Sequence, residues 1–196
     1  MFKSHPKGLL AAALSNMGER FGYYIMNAVL ALFLCSKFGL AEGQAGLIYS
    51  IFYAGIYILS LVGGFIADKT QNYKGTIMTG LAIMASGYVV LSIPVLATPQ
   101  NSSFLLTVTC LALFLIAFGN GLFKGNLQAI VGQMYDNFEA EEAKKGEEAL
   151  AIAKDKRDSG FQIFYVFINV GGVIAPFVAP LLREWWLKTN GLVYNS

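Results

Sequence analysis

The sequence predicts an all-α fold: a multi-pass membrane protein with about five transmembrane helices. Of its 196 residues, 56% are hydrophobic and 13% are charged, whereas ordinary soluble domains are about 25% charged. The apolar residues also fall into five segments, each long enough for the roughly 20 residues that a helix needs to cross a bilayer. The predicted helices cover residues 9–35, 45–67, 76–97, 104–135 and 159–182.

The segments between these helices differ in their content of Lys and Arg, which predicts the orientation. Cytoplasmic segments are enriched in these residues. On one side of the membrane, the lead 1–8 has 2 Lys or Arg residues, the turn 68–75 has 2 and the segment 136–158 has 5. On the other side, the segment 36–44 has 1 Lys or Arg residue, the segment 98–103 has none and the tail 183–196 has 2. We therefore expect a cytoplasmic (inner) membrane protein with its N-terminus and the charged loop 136–158 in the cytoplasm, and an extracytoplasmic tail. The loop is predicted as either an amphipathic helix or a flexible linker.

Helix 1 carries two charges, Glu19 and Arg20, inside an apolar run. Each costs about 2.5–3.5 kcal/mol at the centre of a membrane helix on insertion scales. At 100° per residue, they share a sector of roughly 140° with other polar and aromatic residues. This sector predicts a face toward a cavity; alternatively, the two charges form a buried pair that only holds helices together. Its members are Asn16, Glu19, Arg20, Tyr23, Tyr24 and Asn27.

Three other helices contribute candidate binding residues. Helix 2 has tyrosines at 49, 53 and 57, and Tyr57 is the preferred candidate because a mid-span hydroxyl needs a partner. Lys124 lies within helix 4 on one face with Asn120, where it either serves a site or extends its amine to the membrane surface. In helix 5, one face carries Gln162, Tyr165 and Asn169.

Several classes of function are not supported by the sequence. It has no nucleophile–base set, phosphate-binding loop or metal-ligand set, so we expect neither an enzyme nor a bound metal or cofactor. Cys35 and Cys110 both lie in apolar segments, so we expect small buried hydrophobic residues and not a disulfide. The net charge of +2 gives no support for a nucleic-acid partner. The expected surroundings are a lipid bilayer.

Four short segments carry a resemblance to a known family: ERFGYY at 19–24, GGFIADK at 63–69, GLFKGN at 121–126 and FYVFINVG at 164–171. The first and last resemble the E-x-x-E-R-F-x-Y-Y and F-Y-x-x-I-N-x-G signatures of the proton-dependent oligopeptide transporters, in the major facilitator superfamily. The third is similar to that family's G-x-F-K-P-N segment, and the second to a loop motif of the whole superfamily. The resemblance runs from Lys7 to about Trp186.

The resemblance implies a di- or tripeptide carrier that works by alternating access, with protons as partners and the proton gradient as the driving force. Arg20 and Lys124 would attract the peptide carboxylate, and Glu19 would pair with one of them and exchange a proton. Further residues of the binding site would be Tyr24, Tyr57 and Asn169. The cavity lining would add Asn16, Tyr23, Asn27, Asn120, Gln162 and Tyr165. The loop motif would contribute Gly63, Gly64, Asp68 and Lys69 to gating.

The chain departs from the family pattern at three positions. Asn16 stands where the motif has a titratable glutamate, which puts proton coupling at that position in question. Asn27 stands where many members have arginine, and Gly125 replaces the motif proline.

Length is a fourth departure, because family members have twelve or more spans. We expect the chain to be an incomplete N-terminal six-helix bundle, truncated before helix 6, whose partner is the missing C-terminal half. Two alternatives remain: a carrier of another carboxylate-bearing or anionic solute, and a non-transporting membrane fragment.

Overall fold

The computed structural model describes residues 5–190, and this part of the chain forms five α-helices. They are α1 (Leu9–Phe38), α2 (Glu42–Thr70), α3 (Tyr73–Ser92), α4 (Ser102–Ala143) and α5 (Glu147–Thr189). Each is long and apolar enough to cross a membrane. The predicted all-α class is therefore confirmed. Residues 1–4 of the predicted lead and 191–196 of the predicted tail lie outside the described residues.

The third helix is shorter than the sequence predicted. It was expected to reach residue 97, but α3 ends at Ser92, and Ile93 has extended backbone angles (φ −67°, ψ 118°). Pro94 explains this end, because the ring of a proline disfavours the helical conformation in the residue before it. At its start, α3 is capped by Asn72, whose Oδ1 accepts a hydrogen bond from the backbone N–H of Gly75 at 2.9 Å.

The segment 136–158, predicted as a cytoplasmic loop, is almost entirely helical. Helix α4 continues to Ala143, only residues 144–146 turn, and α5 begins at Glu147. The segment is rich in Ala, Glu and Lys, which favour helix. The two helices are also joined here, because Arg157 Nη1 donates to Asp136 at 2.6 Å and to Glu139 at 3.2 Å. Of the two predicted alternatives, the structure has the helix.

The fifth helix also extends beyond its predicted end at residue 182. It continues to Thr189, so most of the expected tail is helical. An ion pair of 2.7 Å between Lys188 and Glu184, one turn apart, supports this extension. Pro176 and Pro180 lie inside α5 without ending it.

The chain divides into two compact units. One contains the described parts of Met1–Leu30 and Met134–Ser196, and the other is Ala31–Gln133. The first unit therefore holds most of α1, the end of α4 and α5. The second holds α2, α3 and most of α4.

Glycines allow the helix backbones of the second unit to pack closely. A Cβ atom on Gly63 of α2 would overlap the carbonyl oxygen of Gly121 on α4. A Cβ on Gly80 of α3 would lie 2.7 Å from the carbonyl oxygen of Gly119. Asn126 reinforces the first contact, because its Nδ2 donates to the carbonyl oxygen of Gly63 at 3.0 Å. Small residues at such contacts are typical of helices that pack inside membranes.

In the first unit, a buried tyrosine connects the start of the described chain to α4 and α5. The hydroxyl of Tyr135 lies 2.7 Å from Nδ1 of His5. Gly160 of α5 leaves room for it, because a Cβ there would overlap the Tyr135 hydroxyl. Burial, and then the positive charge of Lys156, lower the pKa of His5 below its usual value of 6.5.

The adjacent glycines of α2 give a matched test of this packing. Gly63→Ala is expected to lower the free energy of unfolding by about 1–3 kcal/mol, because the added methyl group meets rigid backbone. Gly64→Ala is the control, since a Cβ added at Gly64 would have no neighbour within 4 Å. Thermal unfolding of the detergent-solubilised protein measures both. Equal melting temperatures for the two variants would contradict the close contact.

The His5 contact predicts a dependence of stability on pH. Because the folded state lowers the pKa of His5, its neutral form is favoured on folding. The contribution of neutral His5 to the free energy of unfolding is complete above about pH 6.5. It is lost as the pH falls through the lowered pKa that His5 has in the folded state. Between about pH 7.5 and pH 5, wild type should therefore lose more stability than His5→Gln, which cannot titrate. Parallel melting curves for the two proteins across this range would refute the prediction.

Candidate functional site

The buried charges of α1 form an ion pair. Arg20 Nε donates to Glu19 Oε2 at 2.5 Å, and Nη2 donates to Oε1 at 2.9 Å. The side chains of Arg20 and Glu19 are 11% and 1% exposed. Both carboxylate oxygens and one edge of the guanidinium are thus engaged, which offsets much of the cost of removing two charges from water.

Two tyrosines adjoin this pair on the same helix. The guanidinium carbon of Arg20 lies 5.0 Å from the centre of the Tyr23 ring, within the range of a cation–π contact. Tyr23 is buried and meets Tyr24 edge to face, with ring centres 5.3 Å apart. Tyr24 is 37% exposed and packs beside Gly172 of α5, where a Cβ would lie 2.9 Å from its ring. Tyr24 therefore lies where α1 meets α5.

The polar residues of α5 are on its accessible surface. Tyr165 and Asn169 are exposed, and so is Gln162. Asn169 Nδ2 donates to the backbone carbonyl of Tyr165 at 3.0 Å. Because Asn169 is one turn before Gly172, it shares the side of α5 that meets Tyr24. The structure thus brings this asparagine, Tyr24 and the ion pair into the same unit.

The second unit has a cationic group of its own. The amine of Lys124 lies 4.1 Å from the centre of the Tyr57 ring, so α4 and α2 are joined by a cation–π contact. Tyr57 is 48% exposed and Lys124 is half-buried. Asn120, one turn before Lys124, is 1% exposed and is therefore part of the packed interior.

The two asparagines that depart from the family pattern are largely enclosed. Asn16 is 8% exposed and precedes Glu19 by one turn. Asn27 is half-buried, and its Oδ1 has no hydrogen-bond partner among the described residues. In both cases a neutral amide stands on the same face as the ion pair.

The loop motif is divided between packing and an exposed turn. Gly63 packs against α4, whereas Gly64 has no neighbour within 4 Å of a Cβ position. Asp68 and Lys69 are exposed, and Asp68 accepts a hydrogen bond from the Tyr73 hydroxyl at the start of α3. These positions connect α2 to α3 and α4. Gating by the motif stays a prediction.

Sequence reasoning missed two residues near these groups. Tyr53 was not selected, yet it links Tyr49 to Tyr57, and the regular spacing of the three tyrosines was the available signal. Asn126 was not selected either, although it is 2% exposed and bonded to the carbonyl of Gly63. Its place in the GLFKGN segment at 121–126 was the available signal, although its contact with α2 depends on the packing of two helices.

Comparison with known proteins identifies the family. The model of the POT family matches residues 74–194. The chain belongs to the POT family. This membership confirms the resemblance drawn from the sequence motifs, and the five apolar helices agree with a multi-pass membrane protein.

Two of the relatives are named as peptide transporters. A di-/tripeptide transporter of Lactococcus lactis subsp. cremoris is 34% identical over 93% of this chain and 33% of its own length. The peptide transporter YePEPT of Yersinia enterocolitica subsp. palearctica is also 34% identical, over 97% of this chain and 33% of its own. The chain thus spans about a third of the length of the curated relatives it matches.

Solved structures support the predicted fold. The tetrameric PepTSo2 crystal structure matches with a TM-score of 0.76 and 28% identity, over 96% of this chain and 35% of that one. A peptide transporter solved in complex with alafosfalin matches with a TM-score of 0.67 and 33% identity, over 100% of this chain and 35% of that one. The five helices therefore share the major facilitator fold of these structural neighbours.

Proposed function

We propose that this chain is the N-terminal part of a secondary active transporter that imports di- and tripeptides together with protons. The observation that carries the proposal is the enclosed Glu19–Arg20 pair on a helix long and apolar enough to cross the membrane. Ionisable residues at such positions are rare and usually mark a substrate or ion pathway. The names of the POT relatives support peptides as the substrate class.

Arg20 and Lys124 are the proposed carboxylate-binding residues. Two hydrogen bonds already join Arg20 to Glu19, which leaves three of the five guanidinium N–H groups for a ligand. A peptide carboxylate can use this remaining edge, or it can replace Glu19 in the paired geometry. Lys124 supplies a point charge above the Tyr57 ring, so it can follow a carboxylate without a fixed angle.

Glu19 is the proposed proton carrier. While Arg20 is paired with it, both carboxylate oxygens of Glu19 accept charge-assisted hydrogen bonds. A substrate carboxylate that takes Arg20 would leave Glu19 as an enclosed anion with a weakened partner, and proton uptake would then relieve the cost. Substrate and proton binding would thereby be coupled through one arginine. Asn16 cannot titrate, so no proton is assigned to that position.

The uncharged site residues are proposed to hold the rest of the peptide. Asn169 uses its N–H₂ group on its own helix, which leaves its carbonyl oxygen to accept from a peptide N–H. Tyr24 is partly exposed at the contact between α1 and α5 and offers a hydroxyl and a ring edge. The orientation inferred from Lys and Arg counts gives a transporter of the cytoplasmic membrane with its N-terminus inside the cell.

Uptake of labelled di- and tripeptides tests the proposal. Cells producing the full-length gene product that contains this chain would be assayed at about pH 5.5 and about pH 7.5, beside Lys124→Ala. We expect faster uptake at the lower pH and a loss of at least about tenfold in the variant, because an enclosed charge contact to the substrate is removed. Lys144→Ala, on the turn between α4 and α5, is the matched control for loss of a lysine.

The other outcomes identify which part of the proposal fails. Peptide uptake that does not depend on pH would keep the substrate and reject proton coupling. No peptide uptake by a well-expressed wild type would reject the peptide assignment, and uptake of another carboxylate-bearing or anionic solute would then identify a different carrier. Unchanged uptake by Lys124→Ala would reject the role of this lysine.

A further inference from the structure

Three tyrosines on one side of α2 form a continuous row that ends at Lys124. The rings of Tyr49 and Tyr53 are stacked, with centres 6.3 Å apart and planes 14° apart. The rings of Tyr53 and Tyr57 follow at 5.2 Å, with planes 56° apart. The Tyr57 ring then lies beneath the Lys124 amine at 4.1 Å. All four residues belong to the unit Ala31–Gln133.

The position of the Tyr57 ring decides where the Lys124 amine is held. An ammonium is attracted to the face of an aromatic ring and not to its edge. Tyr57 is 48% exposed, so packing covers only about half of this side chain. A ring with so much open surface needs a directional contact if one orientation is to be favoured.

Tyr53 provides that contact. Its hydroxyl oxygen lies 3.2 Å from the hydroxyl oxygen of Tyr57, a distance that fits a hydrogen bond between them. The residues are four apart, so they face each other on the helix surface. The Tyr53 ring is in turn stacked on Tyr49, which limits its own movement. The hydroxyl pair thus joins a ring that is stacked on Tyr49 to the ring that faces the amine.

We propose that Tyr53 is a positioning residue: its hydroxyl orients the Tyr57 ring and thereby holds the Lys124 amine in place for an incoming carboxylate. The inference rests on the proposed function for the identity of the ligand. It assigns Tyr53 no contact with substrate. A simpler role for the row, in which tyrosines anchor a helix at a membrane surface, would require each ring separately and would not depend on the link between two hydroxyls.

The test is a double-mutant cycle on peptide uptake by the full-length protein. Tyr53→Phe keeps the stacked ring and removes only the hydroxyl. It should raise KM for a dipeptide about three- to tenfold, the effect of one lost hydrogen bond, with little change in the maximal rate. In a Tyr57→Phe background the same change should have no further effect, because its partner is already gone. Tyr49→Phe is the control. It also removes one tyrosine hydroxyl from the row, but it keeps the ring that stacks on Tyr53 and leaves the link between Tyr53 and Tyr57 intact.

A second readout does not need transport. Labelling of Lys124 by an amine-reactive reagent, followed by mass spectrometry, reports how well the amine is held. Tyr53→Phe should speed labelling of Lys124 about two- to fivefold, because an amine held less firmly over the Tyr57 ring is more accessible to the reagent. Tyr49→Phe should leave the rate unchanged. If wild type transports no peptide, the proposed function fails, while this comparison still decides the role of Tyr53.

Three results would overturn the inference. Additive effects of Tyr53→Phe and Tyr57→Phe on KM would mean that the hydroxyls act independently. Equal effects of Tyr49→Phe and Tyr53→Phe would assign the row to general helix anchoring. Unchanged labelling of Lys124 in Tyr53→Phe, with the protein folded as judged by its melting temperature, would show that the tyrosine does not position the amine.

Discussion

The ion pair of α1 places two charges along a helix long and apolar enough to cross a membrane, and the proposed transport chemistry depends on it. An isolated Glu19 or Arg20 would be strongly unfavourable there, but two hydrogen bonds join them and the Tyr23 ring covers the guanidinium. This pair requires that one side of α1 face protein and not lipid. Gly171 and Gly172 of α5 meet that requirement, since they allow α5 to approach the backbone of α1 at Met17 and the ring of Tyr24.

The second cation is accommodated by different means. Lys124 has a ring below its amine, supplied by α2, and the two helices can approach because Gly63 and Gly121 lack side chains. Asn126 joins the same helices by a hydrogen bond to the carbonyl of Gly63. Close packing and an aromatic surface therefore hold this lysine, whereas a neighbouring carboxylate holds Arg20.

Hydropathy was sufficient to predict the five helices, because crossing a bilayer demands long apolar segments. The polar side of α1 was also predictable, since charges in such a segment need partners. The contact between the ends of α4 and α5 was not predictable, because it depends on hydrogen bonds from Arg157 to Asp136 and Glu139, about 20 residues away in sequence. The role of Tyr53 was not predictable either. Helical spacing placed its side chain near that of Tyr57, but the contact between their hydroxyls depends on side-chain rotamers.

The most direct test of the proposed coupling is whether a proton is bound when peptide binds. Calorimetric titration of the purified full-length protein with a dipeptide, in buffers with different heats of ionisation, measures the number of protons exchanged. If the peptide carboxylate competes with Glu19 for Arg20, wild type takes up a fraction of a proton to one proton per peptide, and Glu19→Gln takes up none while still binding peptide. Equal proton uptake by wild type and Glu19→Gln would contradict coupling through this pair.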